Sequence, residues 1–229
     1  MNNSMMTTMV LVAAGLMAAG GNGLETARDR QDTTALSARI SEYEAAAAKS
    51  PADAAAQYRV ALACSYLAEV TIERHDRKQA RHFAEEGIRA GEKAVTLKPN
   101  DAEYYRVLGT LYGQAITDIM SGLSYGAKAR DAVDKAVALA PNNAAMYVAR
   151  GVGNYYLPAA MGGGPEKAIA DFRKAISLDS KDDEAYLWLG VALRKVNKDA
   201  EARQAFEKSL QLNPDRVWTK QQLEKTPGR

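Results

Sequence analysis

The chain is poor in the side chains that perform chemistry: its 229 residues hold a single cysteine, Cys64, and two histidines, His75 and His82. One cysteine excludes an internal disulfide framework and any cysteine-based zinc site, and its place inside an apolar helical pattern predicts a buried thiol. The two histidines are seven residues apart on what reads as one helix. They would stand about two turns, ~10 Å, from each other, too far to ligate one metal directly. No serine sits in a nucleophile-elbow context. The triple glycine Gly162-Gly163-Gly164 has neither the preceding strand nor the following Lys-Ser/Thr pair of a phosphate-binding loop. No catalytic residue, metal or cofactor is therefore expected, and the chain reads as non-enzymatic. An excess of one charge is also missing, with 30 Lys and Arg against 28 Asp and Glu, mixed along the chain. Neither nucleic-acid binding nor electrostatic membrane contact is expected from that balance.

Charge is absent altogether from the first residues, up to Leu24. The apolar run Met5 to Ala19 is short for a bilayer span, which needs roughly 20 residues. With Ala18-Ala19-Gly20 behind it, the run fits a signal peptide over residues 1–20, although Met1-Asn2-Asn3-Ser4 lacks the usual Lys or Arg. A periplasmic or secreted protein of the bacterial envelope follows as an expectation, with an uncleaved anchor as the alternative membrane contact. Residues 21–32 are polar and unpatterned, and read as a linker.

What the chain does have is helical periodicity. Leu36, Ile40 and Tyr43 recur at helical spacing within a run of strong helix formers, predicting a cap helix over 33–49. Ser50-Pro51-Ala52-Asp53 resembles a helix start, with Ser50 as N-cap and Pro51 in the first helical position. The following helices are expected to run to about Glu73 and from about Arg77 to Leu97.

Comparison of the chain with itself is more informative. Gln57 to Ile72 aligns without gaps on Tyr104 to Ile119, and four later segments end alike: KAVTLKP at Pro99, KAVALAP at Pro141, KAISLDS at Ser180 and KSLQLNP at Pro214. The spacing of these ends shortens from 42 to 39 to 34 residues. Four helix pairs result, over 50–99, 100–141, 142–180 and 181–216, with a capping helix over 217–225.

In period and residues these units resemble the tetratricopeptide family. Tyr186, Leu189, Gly190, Ala202, Phe206, Ser209 and Pro214 match its motif in the last unit; Tyr147, Gly151, Ala168, Phe172 and Ala175 do so in the third. Tyr105, Leu108, Gly109, Tyr112, Ala129, Ala136 and Pro141 do so in the second, with Val133 at the aromatic position. The first unit is weakest, since Gly87 and Gly91 stand where Ala and an aromatic are usual. The resemblance implies an all-α, tetratricopeptide-type solenoid of four helix pairs whose first helices line a concave groove for a peptide or protein. Carried over by position, the groove residues are Arg106, Gln114, Val148, Val152, Tyr155, Tyr156, Leu187, Val191, Arg194 and Lys195. They imply an apolar groove with a basic end, suited to a peptide of some acidic character.

Units two and three exceed the 34-residue period by 8 and 5 residues. The first excess is expected in the first helix or the turn through Asp118 to Ser124, the second in LPAAMGGGPEKA. That insertion, with Met161, Gly162, Gly163 and Gly164 as candidate contact residues, is similar over a dozen residues to one in the T-component of TRAP-type transporters. The likeness implies an alternative role as an accessory subunit of solute transport. Trp218 on the last helix is the candidate for self-assembly into a homo-oligomer.

Overall fold

The computed structural model describes residues 23–228, and among these every regular element is helical. Helix α1 spans 23–29. It is followed by α2 (Thr33–Lys49), α3 (Ala54–Glu73), α4 (Arg77–Leu97), α5 (Ala102–Gln114), α6 (Ile119–Leu139) and α7 (Ala144–Tyr156). A 3-10 turn (Ala159–Met161) then leads to α8 (Pro165–Leu178), α9 (Asp183–Lys195), α10 (Asp199–Leu212) and α11 (Val217–Glu224). The segment read as a signal peptide lies outside the described residues.

Local chemistry sets the helix starts. Asp32, Asp53, Asp76, Asp101, Asp118, Asn143 and Asp182 each accept a backbone N–H of the following first turn through the side chain, filling donors that a helix leaves unpaired. Helix α8 instead begins with Pro165, whose missing N–H costs nothing at that position. Two expectations need correction here. Ser50 closes α2 and Asp53 caps α3, because the Asp53 carboxylate reaches Ala55 N at 2.9 Å while Pro51 lies in the turn. Residues 21–32, read as a linker, contain α1, with Leu24 and Ala27 buried in the core and Gln31 ending the helix in the left-handed region at φ 54°.

Helices α3 to α10 pack as four antiparallel pairs, each stacked on the next. The small residues of the motif set how closely they approach. A Cβ on Gly109, Gly151 or Gly190 would lie 2.6, 2.5 or 2.6 Å from Val133, Phe172 or Phe206 of the partner helix. These residues are thus the holes that receive the large side chains. Gly87 and Gly91, the apparent departures in the first unit, do the same between units. A Cβ on Gly87 would meet Leu111 at 2.6 Å and Cys64 at 2.8 Å, and one on Gly91 would meet Leu108 at 3.1 Å. Cys64 is fully buried there, as its setting predicts.

The four second helices end in register, at Leu97, Leu139, Leu178 and Leu212, but start differently: α4 and α6 have 21 residues, α8 and α10 have 14. The added residues form about two extra turns, ~10 Å, at the N-terminal end. Helix α3, with 20 residues against 13 in α5, α7 and α9, is extended toward the same rim. The excess of unit two therefore lies in its second helix, where the Asp118/Ser121 capping box starts α6 early, rather than in its first. His75 stands in the α3–α4 turn at φ 64°, not on one helix with His82.

Candidate functional site: an occupied groove

The concave wall is built by α3, α5, α7 and α9, whose matching positions face inward. Tyr66 stands eight residues after Tyr58, as Arg194 does after Tyr186, and Glu184 stands two before Tyr186. Between Tyr66 and Glu184 lies Arg28 of α1. Its guanidinium sits 4.9 Å from the Tyr66 ring centroid and 3.1 Å from the Glu184 carboxylate. Helix α1 of the same chain thus occupies the groove, bridging the first unit to the last.

A second arginine seals the arrangement. Arg216, in the turn before α11, is completely buried. It pairs with Glu69 at 2.5 Å and Glu73 at 2.6 Å on the extra turns of α3, and with Glu184 at 3.2 Å on α9. Around it, Asp29 accepts from Arg28 at 2.7 Å and Asn213 at 2.9 Å, Gln31 donates to Glu73 at 2.8 Å, and Arg30 pairs with Asp215 at 2.9 Å. Among the described residues no buried side-chain nitrogen or oxygen lacks a partner. A buried charge cluster costs several kcal/mol per ion in desolvation and persists only when satisfied in this way.

Carboxylates outnumber arginines here, and their protonation reflects it. Burial, opposed by Arg216, pushes the Glu69 carboxyl up to about 8, and burial raises Glu73 as well. Burial with the nearby Glu184 raises Asp183 to about 6. Burial also works against ionised Glu184, but Arg28 and Arg216 outweigh it and hold that group below its ordinary range.

The groove residues named from the repeat register have diverse fates. Arg106 is turned onto Glu103, with its two contacts at 2.5 and 2.6 Å, and Glu103 accepts from Tyr58 at 2.9 Å. Gln114 clips α5 to α3 through both Ser65 Oγ and the Ser65 carbonyl. Leu187 and Val191 are buried, and Val148 and Val152 pack partly buried against their cluster. Arg194 is spent on Gln222 and Thr226 at the chain end, while Lys195 remains exposed. The basic end expected of the groove is therefore absorbed by α11 contacts. Tyr155 and Tyr156 gather with Trp188 at centroid distances of 6.1 and 6.2 Å, and Trp218 joins from the other side at 5.1 Å. Trp218 is half-buried in this aromatic cluster, so it is not the bare residue expected for self-assembly.

In the insertion, Met161 is exposed whereas Gly163 and Gly164 are buried. Gly162 and Gly164 hold φ of 87° and 107°, and a Cβ on Gly163 would lie 2.3 Å from the Leu157 carbonyl oxygen. Glycine at all three positions is thus explained by chain path. The loop is tied down by Gly164 N donating to Asn154 O at 2.8 Å and by Lys167 reaching Gly162 O at 2.7 Å.

Arg28, Glu69, Glu73, Glu184 and Arg216 were not singled out from the sequence. A signal existed in Glu69 and Glu73, four apart and so on one face of an otherwise apolar helix. Their arginine, Arg216, is 143 to 147 residues away in the chain, and no local pattern connects them.

Stacked helix pairs, glycine holes and a concave wall of first helices define a tetratricopeptide-type repeat protein. Repeat models agree, one described as TPR repeat at 163–197 and one as tetratricopeptide repeat at 183–216. A family model described as regulator of microtubule dynamics protein 1-3 matches residues 24–160, more than half of the chain, and the chain belongs to that family. No curated protein matches it. Among solved structures it is similar to TTC0263, a thermophilic TPR protein of Thermus thermophilus, at TM-score 0.63 and 21% identity over 91% of this chain and 98% of that one. It also matches the OM64 TPR domain of Arabidopsis at TM-score 0.45 and 23% identity, over 55% of this chain and 93% of that one. The first of these likenesses concerns the fold.

Proposed function

We propose that the protein is a non-enzymatic interaction scaffold whose concave groove takes an arginine-bearing helical segment of a partner protein. The observation that carries this reading is the cis occupant: α1 lies against groove positions of the first and last units, with Arg28 between Tyr66 and Glu184. With α1 displaced, Glu184 loses its Arg28 partner and leaves a carboxylate on the groove wall for an incoming arginine, which reverses the acidic partner expected from sequence. The tetratricopeptide fold supports a protein or peptide ligand in general, and helix-in-groove binding supplies the mode.

A synthetic peptide of residues 23–32 tests the reading. It is expected to bind the Arg28→Ala chain at least about tenfold more tightly than the wild-type chain, because the cis competitor is weakened. A peptide carrying the same Arg28→Ala change is expected to lose that binding. Equal binding of both peptides would remove the arginine from the account. We also propose export to the periplasm or cell exterior, supported by the apolar run Met5 to Ala19. Sequencing the mature amino terminus tests this, and a soluble protein still beginning at Met1 would overturn it.

A further inference from the structure

The two extra turns of α6 have no counterpart in α5, and this leaves an apolar tip uncovered. Ile119, Met120 and Leu123 are 83%, 71% and 75% exposed, and Ile116 in the preceding turn is 38% exposed. Ile119 and Leu123 are four apart and Met120 is adjacent, so the three share one side of the helix end. Ile116 lies over Gly122, where an added Cβ would be 3.8 Å from its Cγ2, and extends the same patch. Beside it stands the equally lengthened start of α4. Arg81 of α4 reaches the Asp118 N-cap of α6 at 3.3 Å, which sets the two helix ends side by side. One turn further out, Arg74, Arg77 and Lys78 are exposed and make no ion pair among the described residues.

We propose that this rim is a membrane-docking edge that takes an anionic lipid surface. The geometry is that of interfacial contact: large apolar side chains at a projecting tip enter the headgroup–acyl boundary while neighbouring cations meet the lipid phosphates. Of the acids at these helix ends, Asp76 and Asp118 are engaged in capping, and Asp118 and Glu85 both pair with Arg81. The α4 and α6 ends that meet the surface are N-terminal, the positive ends of their dipoles. This inference is independent of the groove. It revises the expectation, drawn from overall charge balance, that the folded part of the chain makes no electrostatic contact with a membrane. Local segregation of charge on the rim is invisible to a whole-chain sum. Nor does it need a spanning segment, and among the described residues no helix is long and apolar enough to cross a membrane.

The test is flotation of the full chain with phosphatidylcholine vesicles, with and without about 30 mol% phosphatidylglycerol. Wild-type protein is expected to float with the anionic vesicles and at least about 25-fold less with the neutral ones, which offer the rim cations no phosphate excess. The combined Ile119→Ser, Met120→Ser and Leu123→Ser variant should lose about tenfold or more in partitioning. The Arg77→Ala, Lys78→Ala variant should lose roughly 25-fold, at about fivefold per basic residue near the surface. Circular dichroism of both variants is expected to match wild type, since every altered side chain is exposed. Undiminished flotation of the variants would overturn the proposal and assign binding to another part of the chain, including the apolar run before residue 23. It would equally fail if wild type did not float, or if light scattering showed the serine variant abolishing self-association without any vesicle effect. That last result would make a second copy of the chain the occupant of the patch.

Discussion

The first two helix pairs are both longer than the last two, but they use the extra length in opposite ways. In the first pair both helices are extended, so α3 and α4 cover each other, and the added turns of α3 carry Glu69 and Glu73 across the groove to Arg216. In the second pair only α6 is extended, and its added turns keep Ile119, Met120 and Leu123 in solvent. Matched extension gives closure; unmatched extension gives an exposed edge. The extra turns go beyond the 34-residue unit, so they are where function is to be sought.

The largest expected effect of breaking this contrast comes from Arg216→Ala. It removes the buried cation on which α3, α9 and α1 converge, and unfolding should become easier by about 3–5 kcal/mol, read from denaturant melts. Next is Gly190→Val in the unextended last pair. A Cβ there would meet Phe206 at 2.6 Å, and overpacking of this kind costs about 1–3 kcal/mol. The closed groove should then respond to pH in its own way. Glu69 and Asp183 bind protons more readily folded than unfolded, so their contribution is fully present below their ordinary range near 4 and is lost as pH rises through about 6 for Asp183 and about 8 for Glu69. Glu184, held low, loses its contribution only under more acidic conditions. Thermal melts between pH 5 and 9 should therefore show a fall in stability that Glu69→Gln makes shallower; an unchanged slope in that variant would detach Glu69 from the effect. Smallest of all, the serine changes at Ile119, Met120 and Leu123 should each move stability by less than about 0.5 kcal/mol. A larger loss would mean that the tip is packed rather than bare.

Much of the fold was legible in sequence because a repeat writes its rules several times. Gly109, Gly151 and Gly190 recur at one register, and each is explained by the large side chain facing it. The close of each second helix at Leu97, Leu139, Leu178 and Leu212 was readable for the same reason. Groove closure was not readable. Arg28 and Glu184, or Glu73 and Arg216, meet only after the superhelix has turned, and solvated and buried arginines look alike in a string of letters. Positional transfer named Leu187, Val191 and Arg194 as groove residues because it assumes an empty concave wall. Here α11 and the aromatic cluster around Trp188 cover that end. Helix α1 escaped notice because seven residues are too few to show a period.

Helix α1 holds the groove through Arg28, and hydrogen exchange of the backbone amides measures that hold residue by residue. In the wild type, the amides of Arg30 and Asp32, which donate to Thr26 O and Ala27 O at 3.0 and 2.8 Å, should be protected along with those of α9. In Arg28→Ala the first set should exchange about 100-fold faster while α9 and α10 keep their protection. Fast exchange of Arg30 and Asp32 already in the wild type, or identical protection in the variant, would contradict an occupant locked in place by this arginine.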